Sequence, residues 1–329
     1  MQIGKLRSEQ LEDMIFQKLK NKREEVLVRP GIGRDCAVVD YGDQLCVLST
    51  DPITGTATNI GKLVVHITCN DIAADGVAPL GIMLTIMLPP ETTEADVENI
   101  MNDIIAEADK INVDILGGHT EVTDAVNRVV ISATGIGKKL KSRLEGAKKP
   151  ASGDLLILTK GSGIEGTGII CYDKEEELKQ ALGAEVVEQG KQFLEKLSVV
   201  KEGVIGGENG AKLMHDVTEG GLLGGVWEIS VLSKLGVRLW KDKLPVNPVT
   251  DLVCSHFGID PLKLMSSGSM LILADAEDSE KILGELSGVG IEAWVIGKLE
   301  DGEKRVMMDG NLELEIESPE SDELYKVLK

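Results

Sequence analysis

Apolar positions recur at two periods along this chain of 329 residues. A helix-compatible apolar run (Leu63, Val64, Val65, Ile67) leads into Asn70 and Asp71 and is stopped by Gly76 and Pro79. That predicts a mostly apolar helix with Asn70 and Asp71 late on it. Residues 8–19 read as a short helix with Ser8 as cap and Leu11, Ile15 and Leu19 on one face. Thr93 caps a second amphipathic helix, on which Val97, Ile100, Met101, Ile104, Ile105 and Ala108 repeat at helical spacing. Short apolar runs between turn signals predict strands at 36–39, 45–49, 80–88 and 128–135, with residues 114–116 leading into GGHTEV. Later come a strand at 155–159, a helix begun by Leu222, Leu223, Val226, Trp227 and Ile229, and a helix over 249–257. The strand SSGSMLILA, a helix at 279–286, the strand EAWVIGKL and a hairpin around Asp309 and Gly310 complete the chain. No internal repeat or low-complexity tract interrupts this alternation.

Composition adds a division and several exclusions. KKLKSRLEGAKKPASGD is basic and helix-poor amid acidic, apolar sequence, which places a linker near residues 138–152. Two domains are therefore expected, over residues 1–140 and 150–329. A formal charge of −20 argues against nucleic acid as a partner, because phosphate attraction needs clustered Lys and Arg. It leaves room for a nucleotide, since a metal ion can screen carboxylates from phosphates. No apolar run reaches the ~18 residues of a membrane span. The first residues lack the basic-then-apolar layout of a signal peptide, so a cytoplasmic protein without membrane contact is expected. Cys36, Cys46, Cys69, Cys171 and Cys254 show no CxxC spacing and read as reduced, mostly buried small residues.

Candidate chemistry rests on carboxylates beside glycines and strand ends. Asp35 precedes the first strand of an expected hairpin and Asp51 follows the second, which brings both to one end of a sheet. Each could equally be a turn or cap residue. Asp71, beside an apolar helix face, needs hydrogen bonds, a cation or a metal, or else a solvated edge. Gly117 and Gly118 allow a sharp backbone turn and close approach to a phosphate, and His119 reads as ligand-proximal or as a turn residue. Asp216 and Glu219 precede Gly220 and Gly221 at a helix start, where capping alone would account for them. GSGIEGTG contains G-x-G-x-x-G after a strand, but no second strand ending in an acid follows about 20 residues on, so it is not read as a dinucleotide site. It is left as a flexible glycine loop.

Seven segments fall in a known order: GIGRDCAVV, TDP, NDIAADGVAP, GGHT, DVTEGG, SSGSMLI and VIGKL. Over about residues 30 to 300 the chain resembles the aminoimidazole ribonucleotide synthetase (AIR synthase)-related superfamily. That group includes the hydrogenase maturation protein HypE, thiamine-monophosphate kinase and selenophosphate synthetase, and the likeness is closest to HypE and its relatives. The resemblance implies an α/β N-terminal domain whose sheet pairs across a homodimer, and an α+β C-terminal domain. It also implies ATP and Mg²⁺ as cofactors. Asp35, Asp51 and Asp71 fall on its metal positions. Asp51, Asn70, Asp71, Gly117, Gly118, His119 and Thr120 fall on its nucleotide positions, and Asp216 and Glu219 on the catalytic positions of the second domain.

Two departures accompany the likeness. HypE carries the carbamoyl group on a terminal cysteine, whereas this sequence reads ESDELYKVLK at its end, with Cys254 as its last cysteine. His119 stands where HypE and thiamine-monophosphate kinase carry Asp, and imidazole is a poorer Mg²⁺ ligand than carboxylate. The segment before residue 30 also lacks the reactive Cys and Lys of selenophosphate synthetase. The function implied is ATP-dependent phosphoryl transfer that activates an oxygen of an unidentified acceptor, in a setting such as hydrogenase maturation. The alternative is a nucleotide-binding accessory protein that docks on a maturation partner without turnover.

Overall fold

The computed structural model describes residues 6–20, 22–54, 59–319 and 321–328; part of the N-terminal segment read above for a leader lies outside them. The strands of the first half build one six-stranded sheet. They are β1 (Val26–Val28), β2 (Ala37–Asp40), β3 (Gln44–Ile53), β4 (Pro79–Leu88), β5 (Asp114–Val122) and β6 (Val130–Leu140), in the order β1-β2-β3-β6-β4-β5. The expected hairpin is present, with Ala37 opposite Leu48 and Asp40 opposite Leu45. β4 and β5 run parallel, so they need a crossover, and the Glu94–Lys110 helix supplies it. Thr93 caps that helix as the sequence predicts: its Oγ1 accepts from the Asp96 N–H at 3.2 Å while the Asp96 carboxylate accepts from the Thr93 N–H at 2.9 Å. The first helix is shorter than its periodicity suggests. It spans Ser8–Met14 with Arg7, not Ser8, at the cap position, and Ile15 leaves helical geometry at φ −121, which exposes Ile15 and Leu19.

The second half forms a seven-stranded sheet. Its strands are β7 (Leu155–Thr159), β8 (Leu213–Asp216), β9 (Gly236–Trp240), β10 (Met270–Ala274), β11 (Ala293–Glu300), β12 (Arg305–Asp309) and β13 (Leu312–Glu315), in the order β13-β12-β9-β11-β7-β10-β8. β8, the short strand that ends on Asp216, lies at the edge facing the first domain. GSGIEGTG is not a flexible loop. It links β7 to the Ile164–Asp173 helix and is buried throughout, with the Gly161 carbonyl accepting from the Ser266 and Ser269 hydroxyls. The serines of the SSGS segment therefore satisfy backbone that a nucleotide would otherwise have to reach.

Between the sheets lies the Ile60–Ala74 helix, whose thirteen buried residues out of fifteen leave no solvent face. It packs on β3, β6 and the Glu94–Lys110 helix, and on the other side against β8 and the Val200–Glu208 helix of the second domain. The crossing of those two helices is close enough that a Cβ at Gly203 would collide with the Ala73 carbonyl oxygen. Asn70 fixes the same junction: its Nδ2 donates to the Leu197 carbonyl and its Oδ1 accepts from the Val199 N–H, both at 2.8 Å. The basic segment after β6 serves this contact too. Lys148 pairs with Asp275 at 3.0 Å and with Asp278, and Arg143 approaches Glu208 at 3.6 Å. Its charge is matched by acids of the second domain. No helix of the described residues is long and apolar enough to cross a membrane.

Removing the Asn70 side chain would leave a buried carbonyl and a buried N–H unsatisfied across the junction. Asn70→Ala is therefore expected to lower stability by about 1–3 kcal/mol per unsatisfied group. Urea unfolding reads this as a lower midpoint at unchanged slope.

Candidate metal and nucleotide site

Four segments bring carboxylates to the domain junction, Asp71 and Asp216 buried and Asp35 and Asp51 part-buried. The β2–β3 register, continued two residues back from Ala37 opposite Leu48, sets Asp35 level with Thr50, and Asp51 follows next. Asp71 comes from the last turns of the Ile60–Ala74 helix and accepts a hydrogen bond from Ser49 Oγ. Asp216 ends β8 in the second domain. Asp35 and Asp216 offer oxygens within 4.8 Å of one another, and Asp71 lies within hydrogen-bonding reach of Asp51. The hairpin expectation for Asp35 and Asp51 is thus realised. Neither Asp35 nor Asp216 caps a helix here: the helix after Asp216 spans Gly221–Ser233 and has no side-chain cap.

Asp216 is fully buried, and neither of its carboxylate oxygens has a partner among the described residues. Burial, then the Asp35 charge, pushes its pKa up to about 8, against the opposing pull of His215. Burial and the charges of Asp216 and Asp51 likewise hold Asp71 well above the usual carboxylate range. An all-oxygen donor set, one member of it orphaned, suits a hard divalent cation such as Mg²⁺. Asp35, Asp51, Asp71 and Asp216 would hold it, and its charge would relieve their mutual repulsion.

His215, which the sequence did not mark, stands among them: it offers an atom within 4.8 Å of those of Asp35 and Asp216, but both its nitrogens already face carboxylates. Its Nδ1 lies 2.8 Å from Asp35 Oδ2 and its Nε2 lies 2.6 Å from Glu228 Oε2. With a carboxylate at each nitrogen, both must donate, and no lone pair remains for a metal. Burial opposes its charge, but Asp35 and Glu228 outweigh burial and hold the imidazole well above its ordinary value. The only signal for it was the HD dipeptide before VTEGG. Nothing local ties His215 to Glu228, thirteen residues on, or to Asp35 in the other domain.

Several predicted residues lie elsewhere. Asn70 is occupied by the domain junction, so its amide is not free for a cofactor. Gly117 and Gly118 do not form a turn. They lie within β5 at a bulge, and a Cβ at Gly118 would collide with the Leu84 carbonyl oxygen. Register carries Asp51 through Ala133 and Leu84 to Gly118, which puts the glycine pair three strand spacings from Asp51, about 14 Å. Thr120 and His119 are exposed on that edge strand, and His119 Nε2 lies 3.3 Å from Glu121. Within one chain the structure does not bring residues 117–120 to the carboxylates. Glu219 also points away: it accepts from the Tyr325 hydroxyl at 2.7 Å, beside Asp322, whose carboxylate accepts from the Gly220 N–H. It is thereby committed to the segment after β13, and a catalytic role at the Asp216 cluster is not supported.

Comparison with known proteins follows this geometry. The family models for the N-terminal and C-terminal domains of AIR synthase related protein match residues 33–138 and 151–309. A putative hydrogenase expression/formation protein of Methanocaldococcus jannaschii is 28% identical over 317 residues, covering 93% of this chain and 91% of that protein. Carbamoyl dehydratase HypE of Cupriavidus necator is 29% identical over 272 residues, covering 80% and 75%. The solved structure of hydrogenase maturation protein HypE in complex with ATP shares the fold at a TM-score of 0.69 and 22% identity, covering 98% of this chain and 94% of that one.

The Asp216 shift predicts a trade between stability and binding. Its folded pKa of about 8 lies above an unfolded value of about 3.9, so the folded state retains a proton that the unfolded state releases. Stability of the metal-free protein therefore falls as pH rises through that window. Asp216→Asn should raise the melting temperature by several degrees at pH 8 in EDTA, with the gain fading towards pH 4. The same variant should lose Mn²⁺ binding in calorimetry. An unchanged melting temperature at pH 8 would contradict the repulsive environment.

Proposed function

The chain belongs to the AIR synthase-related family, and from that premise we propose that it is an ATP- and Mg²⁺-dependent phosphoryl-transfer enzyme acting in hydrogenase maturation. The observation that carries the reading is the orphaned, buried Asp216 carboxylate set against Asp35, Asp51 and Asp71 across the domain junction. Such a cluster makes little sense as a stability device, because unpaired buried carboxylates cost free energy. It makes sense as a preformed site for a cation and the phosphates bound with it. Mg²⁺ held there would neutralise charge on the transferring phosphoryl group. The chain itself contributes positioning: Asp71 is oriented by Ser49, and Asp35 by His215.

The group activated is proposed to be an oxygen of an acceptor brought to the site. A cysteine of the described chain is a poor carrier. Cys36, Cys69, Cys171 and Cys254 are buried, and burial pushes the Cys69 thiol, the one beside Asn70 and Asp71, up to about 12. The acceptor group is therefore expected from a substrate or a partner protein.

A second copy of the chain is proposed to cover the open face and edge of the first sheet. Met83, Leu116 and Val122 are exposed there on β4 and on β5, an edge strand that a monomer would leave unprotected. A homodimer would place residues 117–120 in an interface. That would give GGHT a surrounding that the single chain does not.

Mg·ATP should stabilise the protein by about 2.7 kcal/mol at roughly 100 times its Kd, read as a thermal shift over nucleotide-free protein. No shift at millimolar nucleotide would remove the assignment. Asp51→Asn and Asp71→Asn should each weaken Mg·ATP binding strongly in calorimetry, whereas Asp124→Asn, on the exposed turn after β5, should bind like the parent. Equal affinity in all three would mean that these acids serve the fold alone. ATP hydrolysis with no phosphorylated acceptor, alongside a stable complex with a maturation protein, would favour the accessory-protein reading.

A further inference from the structure

His215 and Glu228 belong to the second domain, and Asp35 to the first. His215 is 2% exposed, and each of its ring nitrogens donates to one carboxylate, Asp35 at 2.8 Å and Glu228 at 2.6 Å. A second contact holds the same loop to the same helix. Gly33, two residues before Asp35, has φ +68, and a Cβ there would stand 2.9 Å from Leu232 Cδ1 and 3.2 Å from Glu228 Cβ. The GIGRD loop therefore lies directly on the Gly221–Ser233 helix at Glu228, where any side chain at residue 33 would lift it away. The loop that carries Asp35 is thus held to the second domain twice, by Gly33 against Leu232 and Glu228 of that helix and by the His215 imidazole of β8.

We propose that His215, braced by Glu228, is a positioning residue that holds Asp35 of the first domain opposite Asp216 of the second and thereby sets the divalent-cation affinity of the site. This rests on reading the carboxylate cluster as a metal and nucleotide site. The arrangement answers a problem particular to a site divided between domains. Asp35 and Asp216 repel one another, so without a tie Asp35 would swing towards solvent when no cation is present. His215 occupies Asp35 Oδ2, which leaves Asp35 Oδ1 free of it. Glu228 occupies the far nitrogen, fixing the ring plane and keeping both nitrogens as donors.

An inter-domain ion pair with a purely structural role would make a different prediction, because its loss would lower stability without altering the affinity of the folded protein. The discriminating measurement is Mn²⁺ binding in the presence of ATP, by calorimetry and by Mn²⁺ paramagnetic resonance, on protein shown to be folded by its unfolding transition. His215→Gln should weaken Mn²⁺ about tenfold, as loss of a partner that orients a metal ligand does, and Glu228→Gln by a smaller factor. ATP binding in EDTA should stay within about twofold of the parent for both. In an Asp35→Asn background, His215→Gln should have no further effect, because its action passes through Asp35.

Parental Mn²⁺ affinity in His215→Gln, or an added loss in the Asp35→Asn background, would overturn the proposal while leaving the functional reading standing. Absence of Mn²⁺ binding in the parent protein would overturn that reading, and this proposal with it. Should His215→Gln not fold, Glu228→Gln carries the same test, since it keeps a hydrogen-bond acceptor at the far nitrogen.

Discussion

Four carboxylates, Asp71 and Asp216 buried and Asp35 and Asp51 part-buried, meet where the two domains join, and most of what surrounds them follows from that. Two unit charges at the 4.8 Å limit between Asp35 and Asp216 repel by roughly 3–4 kcal/mol at an effective dielectric of 20. The structure contains part of that repulsion by keeping a proton on Asp216 and by placing His215 between Asp35 and Glu228. A divalent cation would contain the rest. The cluster is thus under electrostatic strain, which is why it is proposed as a cation site.

Strain of that kind needs a rigid frame. The junction is held by features that add no charge to the site: the amide of Asn70 clasping residues 197 and 199, the close helix crossing at Gly203 and Ala73, and the ion pairs of the basic segment after β6. The Asn70 and Gly203–Ala73 contacts lie on the Ile60–Ala74 helix, the element that also carries Asp71. Binding at the site and docking of the domains therefore share one helix. A loosened junction would move Asp71 and Asp216 relative to one another.

Chemistry at such a site depends on what is brought to it. Four of the five thiols, Cys36, Cys69, Cys171 and Cys254, are buried, and burial pushes Cys69 up to about 12. The exposed edge strand β5, with GGHT on it, and the apolar face of β4 point outward. Both features are what the proposal of an acceptor supplied from outside the chain rests on.

Local pattern determined a good deal. The β2–β3 hairpin, the strand at 80–88, the Thr93 cap and the apolar Ile60–Ala74 helix were legible because period, turn chemistry and capping act over a few residues. Asp35, Asp51 and Asp216 were legible as candidates because each adjoins a proline or a strand end, and Asp71 because an acid on an apolar helix must be satisfied. Only the tertiary structure decided which candidates meet. Asn70 and Glu219 sit in the same motifs as Asp71 and Asp216, yet one is bound to backbone across the junction and the other to Tyr325. The glycines of GGHT read as a turn but are a bulge in an edge strand, a distinction that depends on the neighbouring β4 backbone. Beyond its place in the HD dipeptide, His215 carried no signal, and Glu228 carried none. A buried imidazole becomes a clamp only through partners 180 and 13 residues away, and no period along the chain encodes that meeting.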